Sequence, residues 1–214
     1  MSARRLIVFA RLPVAGRVKT RLATTIGVAA ALDAHRRLLA ATLHLAERCA
    51  IERREFRFDR PEGPLPDEAL ALPEALAAAG WEVAPQQGAD LGERMQHALG
   101  AALATGDRPV LIGSDCPELT VSDIDDAFGA LRSVDAAFAP AEDGGYALVG
   151  VSRPLPAIFE RMAWGTAAVM ADTLTRLREA GATWRELRTV RDVDRAADWE
   201  RWLRIAPDGW PGRP

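Results

Sequence analysis

Polar and apolar positions alternate in blocks along this chain, and the blocks change period in a regular way. Leu6-Ile7-Val8-Phe9-Ala10 is a continuous apolar run, the pattern of a strand buried on both faces. Residues 28–48 then repeat apolar positions at helical spacing through Leu32, Leu38, Leu39, Leu43 and Leu45, predicting a long helix. Glu55-Phe-Arg-Phe-Asp59 alternates as a short strand. Arg60-Pro-Glu-Gly-Pro-Leu-Pro66 reads as a loop, and 68–79 as a helix despite Pro73, closed by Gly80. A short strand at 81–85 and a turn lead to Asp90-Leu-Gly-Glu93, whose spacing caps a helix running to about Thr105.

The second half repeats the scheme. Pro109-Val-Leu-Ile-Gly113 is an apolar strand ending in Ser114-Asp115-Cys116-Pro117, and Thr120-Val-Ser-Asp123 caps a helix to about Arg132. Strands are expected at 135–140 and 146–151, a helix at 166–179, a strand at 187–190 and a final helix carrying Trp199 and Trp202. Trp210 joins those two in sealing the C-terminal helix onto the body, with base stacking by one of the three as the rival reading, and the three histidines, His35, His44 and His97, fall on helical stretches as surface or packing residues. Such alternation predicts a mostly parallel sheet with helices on both faces. A chain of 214 residues buries roughly 70% of its unfolded surface. One domain over 1–206 with an irregular tail at 207–214 is the expectation.

The 27 Lys+Arg, 30 Asp+Glu and net charge of −3 leave no basic face for nucleic acid. Two cysteines make neither a disulfide framework nor a zinc pattern. The first apolar run is too short for a signal segment and breaks at Arg11, and no stretch reaches the roughly 18 apolar residues of a membrane span. A cytoplasmic protein is expected.

Candidate chemistry gathers where the two apolar strands end. Lys19 is the only lysine in a chain that otherwise uses arginine, and it follows the first strand in Arg11-Leu-Pro-Val-Ala-Gly16-Arg17-Val-Lys19-Thr20-Arg21. A compact ammonium among loop N–H groups suits phosphate oxygens; the rival reading is a loop with chance surface cations. The spacing is not a Walker A loop, there is no GxGxxG after the first strand, and no GxSxG elbow. Asp115 ends the second strand, where a carboxylate can hold Mg²⁺ or serve as a turn residue before Pro117. Glu142-Asp143-Gly144-Gly145 is a second acidic loop, readable as a ligand border or as a hairpin turn. Asp90 and Glu93 read as caps, with Gly88 and Gly92 leaving room for a base or ribose. Cys116 has no histidine near it in sequence, which argues against a Cys–His mechanism.

Taken together, Phe9-Ala-Arg11-Leu-Pro13 through Leu22, Gln87-Gly88-Ala-Asp90-Leu-Gly92-Glu93-Arg94-Met95, Ile112-Gly113-Ser114-Asp115-Cys116-Pro117, Glu142-Asp143-Gly144-Gly145-Tyr146 and Asp192-Val-Asp194 resemble one family. It is the bacterial radical-SAM/selenodomain-associated, glycosyltransferase-like transferases of the GT-A-like nucleotide-diphospho-sugar transferase superfamily. Lys19-Thr-Arg21-Leu22 is also similar to the matching element of 2-phospho-lactate guanylyltransferases. The chain departs from the family at Trp164-Gly165-Thr166, where serine is common at the glycine, and at Arg195-Ala196, where Thr-Pro is frequent.

The resemblance implies a three-layer α/β/α fold and a metal-dependent transferase using a nucleotide or nucleotide-sugar donor, Mg²⁺ or Mn²⁺ and a small-molecule acceptor. It implies nucleotide contacts from Arg11, Gly16, Lys19, Arg21, Gly88, Gly92 and Ser114. Asp115 is the implied metal ligand, with Asp143 and Gly144 near the acceptor or a second metal position. Lys19, Asp115 and Asp143 form the implied catalytic set. Glycosyl transfer is the first reading, nucleotidyl transfer the second, and a nucleotide-binding accessory protein without turnover the third.

Overall fold

The structure is a computed structural model that describes residues 2–60 and 63–206. Seven strands form one sheet in the order β3-β2-β1-β4-β6-β5-β7. They are β1 (Arg4–Arg11), β2 (Arg53–Asp59), β3 (Glu82–Pro85), β4 (Arg108–Gly113), β5 (Ala136–Pro140), β6 (Tyr146–Val151) and β7 (Trp184–Glu186). Only β6 runs against its neighbours, pairing antiparallel with both β4 and β5. The helices are α1 (Thr20–Ile26), α2 (Val28–Arg48), α3 (Asp67–Ala78), α4 (Leu91–Ala104), α5 (Val121–Ala130), α6 (Val169–Glu179) and α7 (Ala196–Ile205).

Strand β1 shows why the sheet is a middle layer. Successive side chains point to opposite faces, so Leu6, Val8 and Ala10 enter a core with Leu39 and Leu43 of α2 and Ile124 and Phe128 of α5. Ile7 and Phe9 enter the other core, against Met95 and Leu99 of α4 and Met170 and Leu177 of α6. Helices therefore cover both faces, giving the expected three-layer α/β/α fold with a mostly parallel sheet. Outside the first helical layer, Trp202 of α7 and Val193 of the segment before it pack onto Leu38 of α2. Trp210 and the 207–214 tail lie outside the described residues.

Two caps read from sequence form as hydrogen bonds. Asp90 accepts the Glu93 N–H at 2.9 Å, while Glu93 reaches back to the Ala89 N–H at 2.8 Å. Thr120 and Asp123 exchange both bonds, at 3.3 and 2.8 Å. Three boundaries differ from the expectation. Helix α1 follows Lys19 directly, although seven residues give too little periodicity to read. Helix α6 begins at Val169, not 166. The last strand is Trp184–Glu186, and of 187–190 only Val190 makes a bridge, to Ala141. Leu187 and Val190 are apolar because they pack onto the α2/α5 core.

One face of β2 is charged at every position: Arg53, Glu55, Arg57 and Asp59. At its amino end sits a buried network. Arg5, 4% exposed, donates to Glu55 and Asp107 at 2.8 Å each and to Glu82 at 2.5 Å. Glu55 also accepts from Arg57. The network ties β1, β2, β3 and the turn into β4 below the cleft described next.

Candidate active site

The carboxyl ends of β1, β2, β3 and β4 open on one cleft of about 720 Å³, the position at which open α/β sheets bind ligands. The loop after β1 enters it through Lys19, whose backbone adopts a left-handed conformation at φ 47°. That turn starts α1 and sends the side chain inward, where the residue is only 8% exposed. Lys19 Nζ pairs with Asp115 Oδ1 at 2.7 Å and donates to Val193 O at 2.5 Å. The lone lysine is therefore a buried tie, not a surface cation. An ammonium has three N–H donors, and Lys19 still lines the cleft.

Asp115 leaves β4 with an exposed carboxylate. Burial of the site pushes its carboxyl up, but the Lys19 ammonium, through charge and hydrogen bond, outweighs this and holds it below the usual carboxylate range. Residues 190–194 cross the strand ends beside it. Val190 N donates to Pro140 O and Val193 N to Asp115 O, each at 2.9 Å, so this segment joins the end of β5 to the end of β4. Asp194 then pairs with Arg21 at 2.8 Å. Asp198 accepts the N–H groups of Arg195 and Asp194 at 2.7 and 3.2 Å, which starts α7 without Thr-Pro.

Arg11, Lys19, Arg21, Ser114 and Asp115 all line the cleft. Gly16, Gly88, Gly92, Asp143 and Gly144 are not among its lining residues. Gly16 is a turn residue at φ 74°, and Gly88, at φ 140°, abuts Glu93 and Arg94. A Cβ on Gly92 would lie 2.4 Å from Phe159 O and 2.8 Å from Trp164 Nε1, so its lack of a side chain admits the 159–164 segment. Gly144 likewise admits Ala167, whose carbonyl oxygen would lie 2.2 Å from an added Cβ. Asp143 is exposed and accepts the Gly145 N–H at 2.9 Å, the geometry of a tight turn.

Several further residues bear on the site. Asp192 is pushed up to about 6, first by burial and then by the charge of Asp143. His35, read as packing, lines the cleft, and its Nε2–H donates to Arg11 O at 3.0 Å. Burial lowers its pKa, so it is neutral at pH 7. Asp59, Gln86 and Arg94 line the far end. Burial raises the Cys116 thiol well above its ordinary range, which disfavours a thiolate nucleophile. Tyr146 packs edge-on between Phe138 and Trp164, with ring centroids at 5.3 and 6.3 Å.

The model of a family described as an uncharacterized protein conserved in bacteria (DUF2064) matches residues 62–166. No curated protein matches the chain. The chain is similar to a candidate nucleotide-diphospho-sugar transferase from Desulfovibrio desulfuricans G20, at 32% identity and TM-score 0.85 over 98% of this chain and 90% of that one. It shares its fold with CMP:2-keto-3-deoxy-manno-octonic acid synthetase complexed with CTP, at 14% identity and TM-score 0.56 over 94% and 96% of the two chains. It also shares it with Rv0371c of Mycobacterium tuberculosis H37Rv in complex with manganese, at 18% identity and TM-score 0.56 over 96% and 100%. Among the described residues no helix is long and apolar enough to cross a membrane.

Proposed function

The chain belongs to the nucleotide-diphospho-sugar transferase superfamily, and from that premise we propose that it transfers a group from a nucleotide-activated donor to a small acceptor with a divalent cation. The observation that carries this reading is the Lys19–Asp115 pair at the head of the cleft, with Arg11 and Arg21 beside it. It supplies a fixed ammonium, two guanidinium groups and one ionised carboxylate where phosphates would enter.

The donor set fits Mg²⁺ or Mn²⁺. Asp115 stays ionised, and Asp192, raised first by burial and then by Asp143, is an acid whose charge lacks full compensation. Among the described residues no three His, Cys, Asp or Glu side chains are gathered closely enough to hold a metal alone. Mg²⁺ commonly takes only one or two protein carboxylates and completes its shell with water and phosphate oxygens. Asp115 would hold it, with Asp143 or Asp192 as the second acid, and when bound the cation would draw negative charge from the diphosphate.

In glycosyl transfer the acceptor oxygen bonds to the sugar carbon, the carbon–oxygen bond to phosphate breaks, and its electron pair leaves on the nucleoside diphosphate. Lys19, Arg11 and Arg21 would stabilise that growing charge through hydrogen bonds in place before reaction. Asp143 lies outside the cleft lining but close enough to Asp192 and Arg21 for its charge to act on them, and it is the carboxylate that would take the acceptor proton. In nucleotidyl transfer the acceptor oxygen bonds to the α-phosphorus and pyrophosphate leaves. The Lys19–Asp115 pair would serve this step as well, the ammonium meeting the charge that grows on the leaving pyrophosphate.

A melting screen against nucleotides and nucleotide sugars with Mg²⁺, Mn²⁺ or EDTA tests the assignment. A ligand at 100 times its Kd stabilises by about 2.7 kcal/mol, on the order of 5–10 °C for a domain of this size. Product analysis then separates released nucleoside diphosphate from pyrophosphate. Binding without donor consumption would make the chain an accessory protein, and absence of any nucleotide-induced shift would end the transferase reading.

A further inference from the structure

The far end of the cleft is chemically unlike the phosphate end. It is built from the carboxyl ends of β1, β2 and β3 and from the first turn of α4. Register places Asp59 beside Arg11 and Phe58 beside Pro85, so Asp59 and Gln86 follow each other across neighbouring strands. Asp59 Oδ1 accepts from Arg94 at 3.0 Å, and Arg94 Nε donates to Gly88 O at 3.1 Å. These contacts orient the guanidinium, and Arg94 also lines the cleft. A carboxylate offers about four acceptor positions, so Asp59 has more than this pair uses.

Gln86 adds a further acceptor by a different route. Its Nε2 donates to Arg57 O at 3.0 Å and to Ala10 O at 3.4 Å. Both partners are carbonyls and can only accept, so the amide nitrogen must face them and Oε1 must face away. Leu91 opens α4 with 44% of its surface exposed and lines the same space. An exposed leucine beside acceptor-rich groups and one oriented arginine suits a flat ring with polar atoms along one edge.

Guanine carries two adjacent donors, N1–H and the 2-amino group, followed by the acceptor O6. Adenine N1 and cytosine N3 turn a lone pair toward the place where guanine has N1–H, and a carboxylate facing that lone pair loses a hydrogen bond and repels. Uracil sets its single N–H between two carbonyl oxygens. We propose that this end of the cleft is a base pocket selecting guanine nucleotides. Asp59 accepts from N1–H and the 2-amino group, Gln86 Oε1 takes the second amino proton, Arg94 donates to O6, and Leu91 lies against the ring. The assignment rests on the transferase reading, which says that a nucleotide enters but not which base.

Titration calorimetry of the full chain with Mg²⁺ and GTP, ITP, CTP, ATP and UTP tests it. GTP is expected to bind about tenfold or more tighter than CTP, ATP and UTP, the difference one charge-assisted hydrogen bond makes. ITP, which lacks the 2-amino group, should fall between. In D59N the affinity for GTP should drop at least about tenfold, while that for xanthosine triphosphate rises, because the new amide can donate to the xanthine 2-oxygen. A D59N protein with the parent's ranking would overturn the role of Asp59. If D59N does not fold, the parent ranking alone decides. CTP, ATP or UTP binding the parent as tightly as GTP would overturn the base assignment and leave the transferase reading intact. Failure of every nucleotide to bind would overturn that reading and this one with it.

Discussion

Lys19 and Asp115 meet at 2.7 Å across the carboxyl ends of two adjacent strands, and the ammonium also holds the Val193 carbonyl at 2.5 Å. The residue expected to bind phosphate and the residue expected to bind metal thus hold each other, and both are anchored to a segment from the far end of the chain.

Lys19→Ala should therefore change stability as well as binding, unlike a substitution in an exposed loop. Losing two charge-assisted hydrogen bonds in a buried position costs about 2–4 kcal/mol, read as a lower urea midpoint with unchanged slope. Nucleotide affinity should fall roughly tenfold to a hundredfold. Unchanged affinity in the folded variant would remove the phosphate role, and an unchanged midpoint would remove the structural one.

Asp115→Asn keeps shape and loses charge. Turnover should disappear, and the difference in nucleotide affinity between Mg²⁺ and EDTA, measured by calorimetry, should vanish with it. Binding carried by Lys19 and the arginines should survive in weakened form. A parent protein whose affinity is the same in Mg²⁺, Mn²⁺ and EDTA would make Asp115 a structural residue.

Arg5 faces three carboxylates, of which Glu55 and Asp107 are buried with it. Removing one partner of a buried ionic group leaves uncompensated charge, at a cost of about 3–5 kcal/mol. Arg5→Ala should lower Tm by roughly 6–20 °C. A calorimetric Tm within about 2 °C of the parent would show that the network carries little net energy.

Asp135 predicts an acid transition. It pairs with Arg153 at 2.7 Å and accepts the Thr183 N–H at 2.8 Å, and these contacts lower its pKa from 3.8 to about 2. A depressed carboxyl stabilises the fold above pH 3.8 and loses that contribution as pH falls toward 2. Allowing for its partial exposure, the contribution is about 1 kcal/mol. Asp135→Asn should be less stable than the parent at pH 6 and nearly equal to it at pH 2, by urea titration at each pH. An equal gap at both would exclude the linkage.

Gly144→Ala should be strongly destabilising. Its φ of 89° is strained for any L residue, and the new Cβ would lie 2.2 Å from the backbone oxygen of Ala167. A loss above about 3 kcal/mol is expected, and a near-neutral variant would mean that the 166–168 segment yields easily.

Much of this architecture was legible in local patterns. The α2 boundaries, the Asp90 and Thr120 caps and the two apolar strands that end in the site each depend on neighbours in sequence. What depends on distant partners was not legible. Trp184–Glu186 is a short strand at the sheet edge with no alternation to read, while Leu187 and Val190 imitate a strand because they plug a core. Lys19 is legible as a loop ammonium suited to phosphate, but nothing near it in sequence reveals that Val193 and Asp115 bury it. Gly92 and Gly144 looked like room for a ligand and are room for Phe159, Trp164 and Ala167. The charged row of β2 was the overlooked signal: a strand with Arg53, Glu55, Arg57 and Asp59 on one face must bury ion pairs or border a polar cleft, and it does both.

The crossing of residues 190–194 sets the order in which the site can come into being. Lys19 leaves the ribosome early, but its contact with Val193 spans 174 residues of sequence. Contacts of such separation form late, because chain entropy must be lost before they are gained. The sheet centred on β1 and β4 can assemble while the protein is still being made, yet the loop proposed to receive phosphates stays unfinished until the last strand and α7 have emerged. A nascent chain should therefore fold before it can bind, and a nucleotide would act only on completed molecules.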